Sequence, residues 1–286
     1  MVRPLKIGFL IQEFPKTSET FIFNQIKGLS GMGHDIRVLS MNRPSSPFNP
    51  SELEFQIKYV DLPKEYSRRI IKLPRIALRS GPQELGTILS SLSPLRFGVN
   101  ALSLRLAYLA DKIKFIKDTD VLICHFGDIG LLGSDLKQLG YHGKVITFFH
   151  GYDVSNTFKD NSIYRRLFQH GDLFMPVSHF WEERLKEIGC PADRLEVHHM
   201  GIDAKKFKCV IRKKPINEKT RIISVGRLVE KKGHEYAIRA VKKLIEADID
   251  IEYVIIGDGP LRRYLEEVVL DLGIYDEIVF TGEVTE

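Results

Sequence analysis

Arg227 and Lys232 stand five residues apart in I-I-S-V-G-R-L-V-E-K-K-G (residues 222–233), with Gly226 before the first cation and Gly233 after the second. The run predicts a buried strand, a glycine turn carrying Arg227, a loop with Lys231 and Lys232, and a helix starting near His234. In an open α/β sheet ligands collect outside the carboxyl ends of strands, and a helix N-terminus there offers free N–H groups to a phosphate. A guanidinium grips phosphate through two parallel hydrogen bonds, whereas an ammonium acts as a compact point charge. Together they suit a diphosphate better than a single phosphate. A Gly-Arg turn and a Lys-Lys pair taken alone are more often a strand exit and a solvated loop.

A second group lies at His150, in H-G-Y-D, directly after the apolar run Lys144 to Phe149. The same sheet-edge rule puts this imidazole where ligands bind. Gly151 permits close backbone approach, and Asp153 is placed to orient the loop or cap the next helix. A lone histidine is more often structural than catalytic. His125 occupies an equivalent strand end in C-H-F-G-D, and His198 and His199 precede M-G-I-D, but no carboxylate or cysteine spacing completes a metal site, so no metal is expected.

The elements that must carry these groups alternate. Strands are expected at Leu5 to Ile11, His34 to Met41, Val121 to Phe126, Lys144 to Phe149, Leu173 to Val177 and Leu195 to His199. Helices are expected at Glu19 to Leu29, Ile129 to Leu139 and Phe180 to Ile188. After a polar, basic stretch the pattern restarts: strand Arg221 to Val225, helix His234 to Ala247, strand Ile251 to Ile256, helix Leu261 to Leu272, strand Glu277 to Thr281. Such alternation implies mainly parallel, doubly wound sheets. The expected domains are residues 1–204, a linker at 205–219, and 220–286.

Between the second and third strands, Asn42 to Pro63 reads as an irregular excursion. Lys64, Arg68, Lys72, Arg75 and Arg79 then recur at three- or four-residue intervals with apolar residues between them, the pattern of a basic amphipathic helix able to lie on an anionic membrane. Charge spacing alone fits a solvated face equally, and Pro74 predicts two short pieces or a kink. Pro94 to Lys117 reads as one longer helical stretch.

Composition sets the bounds. In 286 residues, 43% hydrophobic and 28% charged, no apolar run approaches the ~20 residues of a membrane span and no secretory leader is evident, so a cytoplasmic location is expected. A formal charge of +5 is far from a nucleic-acid binder's excess. Cys124, Cys190 and Cys209 are odd in number and widely spaced, which argues against disulfides and zinc. Gly257-Asp258-Gly259-Pro260 opens a helix but lacks the third glycine of a dinucleotide fingerprint, Arg262 standing there, and no G-x-x-x-x-G-K-[ST] phosphate loop occurs.

The run G-R-L-V-E-K-K-G resembles the G-R-L-x-x-x-K-G signature of retaining nucleotide-sugar glycosyltransferases with the two-domain GT-B fold, glycosyltransferase family 4. H-G-Y-D, M-G-I-D and I-G-D-G-P follow that family's order, and F-P-K-T-S-E-T-F-I resembles the opening of its colanic acid and exopolysaccharide members. The resemblance implies an N-terminal Rossmann-like domain and a second, nucleotide-sugar-binding one. Arg227, Lys232 and Gly226 would hold the donor diphosphate on one side of a cleft, lined also by Gly151, Asp153, Gly257 and Gly259. His150 would contact the transferred sugar from the other side, and Ser18, Glu19 and Thr20 would face the acceptor.

The implied reaction uses a nucleotide-diphosphate sugar as substrate, needs no cofactor or metal, and delivers the sugar to a glycan or lipid-linked acceptor. Family members continue into an E-x-x-x-x-x-x-x-E motif that this sequence lacks before Glu286. The second domain is therefore expected to be incomplete and the chain alone weakly active. A catalytically silent assembly component, or an epimerase of the same fold, are the alternatives.

Overall fold

The computed structural model describes residues 3–44, 55–202, 204–205, 209 and 219–284. The chain divides into two compact units, Met1–Asp203 and Ala204–Glu286. The linker expected over 205–219 falls almost wholly outside the described residues, as does Asp203 of M-G-I-D.

The first unit opens with β1 (Lys6–Glu13), α1 (Thr20–Gly31), β2 (Asp35–Asn42) and β3 (Gln56–Tyr59). Helices α2 (Tyr66–Arg79), α3 (Pro82–Ser91), α4 (Pro94–Phe97), α5 (Val99–Leu102) and α6 (Arg105–Ala110) follow. Then come β4 (Val121–His125), α7 (Gly127–Gln138), β5 (Lys144–Phe149), α8 (Tyr152–Ser155), α9 (Arg165–His170), β6 (Leu173–Pro176) and α10 (His179–Glu187). The six strands order as β3-β2-β1-β4-β5-β6, and every pairing is parallel. The chain walks outward from β1 through β2 to β3, then returns to place β4 on the other side of β1. That reversal is the point of a doubly wound sheet where loops diverge and a crevice opens at the carboxyl ends. Strands β1, β2, β4 and β5 are apolar runs because helices cover both of their faces.

Four expectations for this unit need correction. Within the excursion the chain adds β3, a parallel edge strand whose alternating polar and apolar residues hide it from a search for buried runs. Pro74 does not divide the basic segment: α2 runs unbroken from Tyr66 to Arg79, because Leu73 and Ile76 pack on the core beneath it and hold the helix across the missing N–H. Pro94 to Lys117 is not one helix. Gly98 (φ 51°, ψ −129°) and Leu104 (φ 59°) leave the helical region and cut it into short turns that fold over the sheet. The expected strand Leu195 to His199 reduces to a single bridge between Phe174 and Leu195, extended by hydrogen bonds from the Glu196 and His198 N–H groups to Phe174 O and Pro176 O.

The second unit is β7 (Thr220–Val225), α11 (His234–Glu246), β8 (Ile251–Ile256), α12 (Arg262–Asp271) and β9 (Ile278–Gly282), a parallel sheet ordered β7-β8-β9. Both helices pack on one face, against Ile251, Tyr253 and Ile255 of β8. Strand β7 was expected to be buried, yet Ile223 is 56% and Val225 73% exposed. The reason is one-sided layering. Ile222 and Ser224 turn toward the helices, Ser224 bonding the Tyr253 hydroxyl at 2.8 Å, while Ile223 and Val225 point to the face that no described residue of this unit covers.

Candidate functional site

Two groups of residues stand at strand carboxyl ends, one in each unit. In the first unit, β5 ends at Phe149 and delivers His150, and β4, its parallel neighbour, ends at His125. Parallel register sets these two ends side by side: His125 Nδ1 lies 2.9 Å from His150 Nε2. The rings stack with centroids 5.2 Å apart. Aromatic residues enclose the pair. Phe9 and Phe148 stack on His125, while Phe21, at the start of α1, and Phe126 each lie 4.7 Å from the His150 ring. Phe126 takes a positive φ of 73°, which turns the chain sharply from β4 into α7. Strain of this kind in a bulky residue persists only where its surroundings hold it.

Asp153 ties the two loops together. Its Oδ2 accepts the Gly127 N–H at 2.8 Å and its Oδ1 accepts the His150 N–H at 3.0 Å, so one buried carboxylate fixes the backbones after β4 and β5. Gly151 sits at φ 91° with Trp181 packed over it, and a Cβ there would come within 2.8 Å of the indole nitrogen. His198 meets Phe148 edge-on, and His199 Nδ1 lies 3.0 Å from Val177 O. Among the described residues no group of three or more histidine, cysteine, aspartate or glutamate side chains is arranged to hold a metal ion.

Burial shapes the charges here. It holds the His150 imidazole well below its usual value, at about 4, and also holds His125 well below the usual range, with the His150 charge as a second cause. Both are neutral near pH 7. Burial pushes the Asp153 carboxyl up to about 6 against its backbone hydrogen bonds. Because the folded chain holds the Asp153 proton more tightly than an unfolded carboxyl of about 4, the stability from this group is complete below pH ~4 and lost as pH rises through ~6. The histidines act oppositely: their depressed values favour unfolding as pH falls below ~6.5. Asp153→Asn removes only the carboxyl's share. The stability difference between wild type and D153N, from urea unfolding at stepped pH, should therefore widen as pH falls from ~6 to ~4; a constant gap would show that Asp153 does not titrate as its burial requires.

The S-E-T segment lies at the same edge, since Thr20 immediately precedes Phe21. No side chain caps α1; Glu19 occupies the N-cap position and pairs with Lys16 at 2.6 Å. In front of β1 and β2 a cavity of about 400 Å³ is lined by Gln12, Asn42, Leu62, Lys64, Arg69, Arg105 and Asp128. Arg105 bonds Gln12 Oε1 at 2.9 Å and approaches Asp128 at 3.5 Å. Arg69 is held by the carbonyls of Pro63 and Ser103. The lining thus holds three cations and one carboxylate.

In the second unit Gly226 and Arg227 follow β7. The Lys232 side chain folds back over Gly226, its Cε 3.5 Å from where a Cβ would stand. Gly233, at φ 67°, turns the chain into α11, and the His234 ring approaches Arg227 O at 3.3 Å. Arg227 and Lys232 are exposed and enter no ion pair among the described residues. The loop after β8 locks against this turn. Gly226 N–H donates to Ile256 O and Leu228 N–H to Asp258 O, both at 2.9 Å. A Cβ on Gly257 would stand 2.1 Å from Gly226 O and one on Gly259 2.6 Å from Leu228 O. These two glycines permit backbone-to-backbone contact that shapes the Arg227 turn.

The sequence pattern marked His125, His150, Asp153, Arg227 and Lys232 individually. It gave no sign of Phe21 and Phe126 against His150, or of Asp153 reaching across to Gly127; a carboxylate three residues after a strand-end histidine was the one available signal.

Comparison with known proteins agrees across nearly the whole chain. Residues 18–206 match the model described as Glycosyltransferase Family 4, and residues 208–286 the one described as Glycosyl transferases group 1. The chain is 32% identical over 289 residues to the Escherichia coli protein named as the colanic acid biosynthesis glycosyltransferase WcaL, covering 97% of this chain and 70% of that one. The amylovoran biosynthesis glycosyltransferase AmsK of Erwinia amylovora is also 32% identical, with the same coverage. Among solved structures, Anabaena HepE in complex with UDP and glucose superposes with a TM-score of 0.69 at 14% identity, over 98% of this chain and 70% of that one. The fold is that of the GT-B glycosyltransferases. The chain belongs to glycosyltransferase family 4.

Proposed function

We propose that this chain takes part in polysaccharide biosynthesis, moving a sugar from a nucleotide-diphosphate donor to a glycan or lipid-linked acceptor with retention of anomeric configuration. The observation that carries this reading is the pair of exposed cations at the turn leading into α11, Arg227 and Lys232, which have no carboxylate partner among the described residues. As the bond from the anomeric carbon to the diphosphate oxygen breaks, negative charge builds on the departing phosphate. Preorganised cations and the free N–H groups of a helix N-terminus stabilise that charge without reorganising. A new bond forms from the anomeric carbon to the acceptor oxygen, and the acceptor's proton passes to the leaving phosphate.

His150 is read as the contact to the transferred sugar, supported by its place beyond β5 among aromatic rings. The relatives named for colanic acid and amylovoran biosynthesis support the choice of polysaccharide. The cavity before β1 and β2, lined by Lys64, Arg69 and Arg105 with the single carboxylate Asp128, suits an acceptor carrying phosphate or carboxylate. The direct test is incubation with UDP- and GDP-sugars, with and without a lipid-linked glycan fraction. Acceptor-dependent release of nucleoside diphosphate is expected. Interconversion of donor sugars without acceptor would point to an epimerase, and failure to bind UDP or GDP at millimolar concentration would sink the donor assignment.

Helix α2 supports a membrane-facing acceptor. Lys64, Arg68, Lys72, Arg75 and Arg79 are all exposed, with Ile71 and Leu78 exposed among them, while Leu73 and Ile76 pack inward. Near an anionic bilayer each such charge contributes about 1 kcal/mol, roughly fivefold in partitioning. The double substitution R68E/R75E should thus weaken cosedimentation with phosphatidylserine vesicles by well over tenfold and leave binding to neutral vesicles unchanged. Equal partitioning of variant and wild type would remove α2 from the acceptor-side account.

A further inference from the structure

The two histidines at the ends of β4 and β5 constrain one another through a shared proton. Only one of them donates in the 2.9 Å bond between His125 Nδ1 and His150 Nε2. His125 is 1% exposed, and its other nitrogen, Nε2, is buried without a hydrogen-bond partner among the described residues. If His150 donated, His125 would carry its proton on Nε2 and leave a buried N–H without an acceptor. Phe9 and Phe148 stack on the His125 ring and Phe21 meets it edge-on with centroids 5.9 Å apart, so these rings offer that N–H no oxygen or nitrogen acceptor. If His125 donates, Nε2 keeps only a bare lone pair. Orphaned buried N–H groups are the rarer and costlier case in folded proteins.

We propose that His125 is a positioning residue. Its Nδ1–H donates to His150 Nε2, fixes His150 as the tautomer protonated on Nδ1, and so presents one hydrogen-bond donor at the β5 edge. No hydrogen bond to the His150 Nδ1 is formed among the described residues, whereas its Nε2 is already engaged and its main-chain N–H is held by Asp153. A fixed neutral donor suits a hydroxyl oxygen of a sugar, and it does not suit a group that must accept a proton. The identity of that ligand rests on the donor-sugar reading above; the tautomer does not.

The two possibilities separate cleanly by spectroscopy. In protein labelled with ¹⁵N-histidine, long-range ¹H–¹⁵N correlation of the imidazoles at pH 7 distinguishes the tautomers, with His125→Asn and His150→Asn assigning the signals among the nine histidines. Both His125 and His150 should show protonated Nδ1 and bare Nε2. Protonated Nε2 on both, or fast averaging between forms, overturns the proposal.

Function supplies the second arm. His125→Phe keeps an aromatic ring in the pocket but removes the donor, and sugar transfer should fall about tenfold, the worth of one hydrogen bond. His125→Asn, whose amide nitrogen stands where Nδ1 stood, should restore it to within about twofold. If H125F loses the Nδ1 tautomer of His150 with no change in transfer, the positioning of His150 by His125 stands and the assignment of His150 to the sugar falls.

Discussion

Replacing Arg227 with alanine is expected to lower kcat for sugar transfer by about 10²–10³, the usual cost of removing one preorganised donor from a developing anion. Arg227 is solvent-exposed and enters no ion pair among the described residues, so its loss should change folding stability by no more than about 0.5 kcal/mol. That contrast makes the experiment decisive: activity falls while the urea midpoint stays. Arg227→Lys should recover only part of the rate. An ammonium restores the charge but not the planar fork that grips a diphosphate through two parallel bonds. Turnover by R227A equal to wild type under saturating donor would remove the turn after β7 from the catalytic account and leave the first unit to explain any transfer.

The largest stability effect is expected at a pair of residues that belongs to neither group of candidate residues. Asp135 on α7 is fully buried, and Arg166 of α9 grips it with Nε to Oδ1 at 2.7 Å and Nη2 to Oδ2 at 3.1 Å. Asn100 donates to Oδ2 at 2.7 Å, and the guanidinium also donates to Phe97 O at 2.9 Å. Burial pushes the Asp135 carboxyl up, and the hydrogen bonds from Arg166 and Asn100 oppose it. Arg166→Ala strands a carboxylate inside the fold with one amide for company, a loss of about 3–5 kcal/mol at pH 7. The stranded group escapes by taking up a proton, so the deficit should shrink toward pH 4. The double variant R166A/D135N should be more stable than R166A alone, because it removes the uncompensated charge. Urea unfolding of the three proteins at pH 7 and pH 4 checks all of this, and an R166A deficit under 1 kcal/mol would show that the pair carries little of the first unit's stability.

These two arginines illustrate how unequally the chain advertises its parts. Arg227 sits in a contiguous run whose neighbours, Gly226 and Lys232, declare a turn and a second cation within six residues. Arg166 is one half of R-R in an unremarked segment, and its importance depends on Asp135, thirty-one positions earlier. Helix α2 shows the same limit from the other side. Its charge spacing was legible, but Pro74 argued for two short pieces or a kink, and packing by Leu73 and Ile76 keeps the helix in one piece.

By itself the sequence determined the alternation of apolar runs and amphipathic segments, hence parallel sheets in two units, and the order of glycine turns, cations and strand-end histidines. Those features are local: a strand's apolar face, a turn's glycine and a helix's period are written in residues within one or two turns of each other. Tertiary structure alone decided that His125 and His150 are joined by a hydrogen bond, that Asp153 holds the loop after β4, and that β7 is buried on one face only. Each of these depends on strand order and register, which bring residues 25 or more positions apart into contact or decide which face a helix covers, and no local pattern encodes that choice.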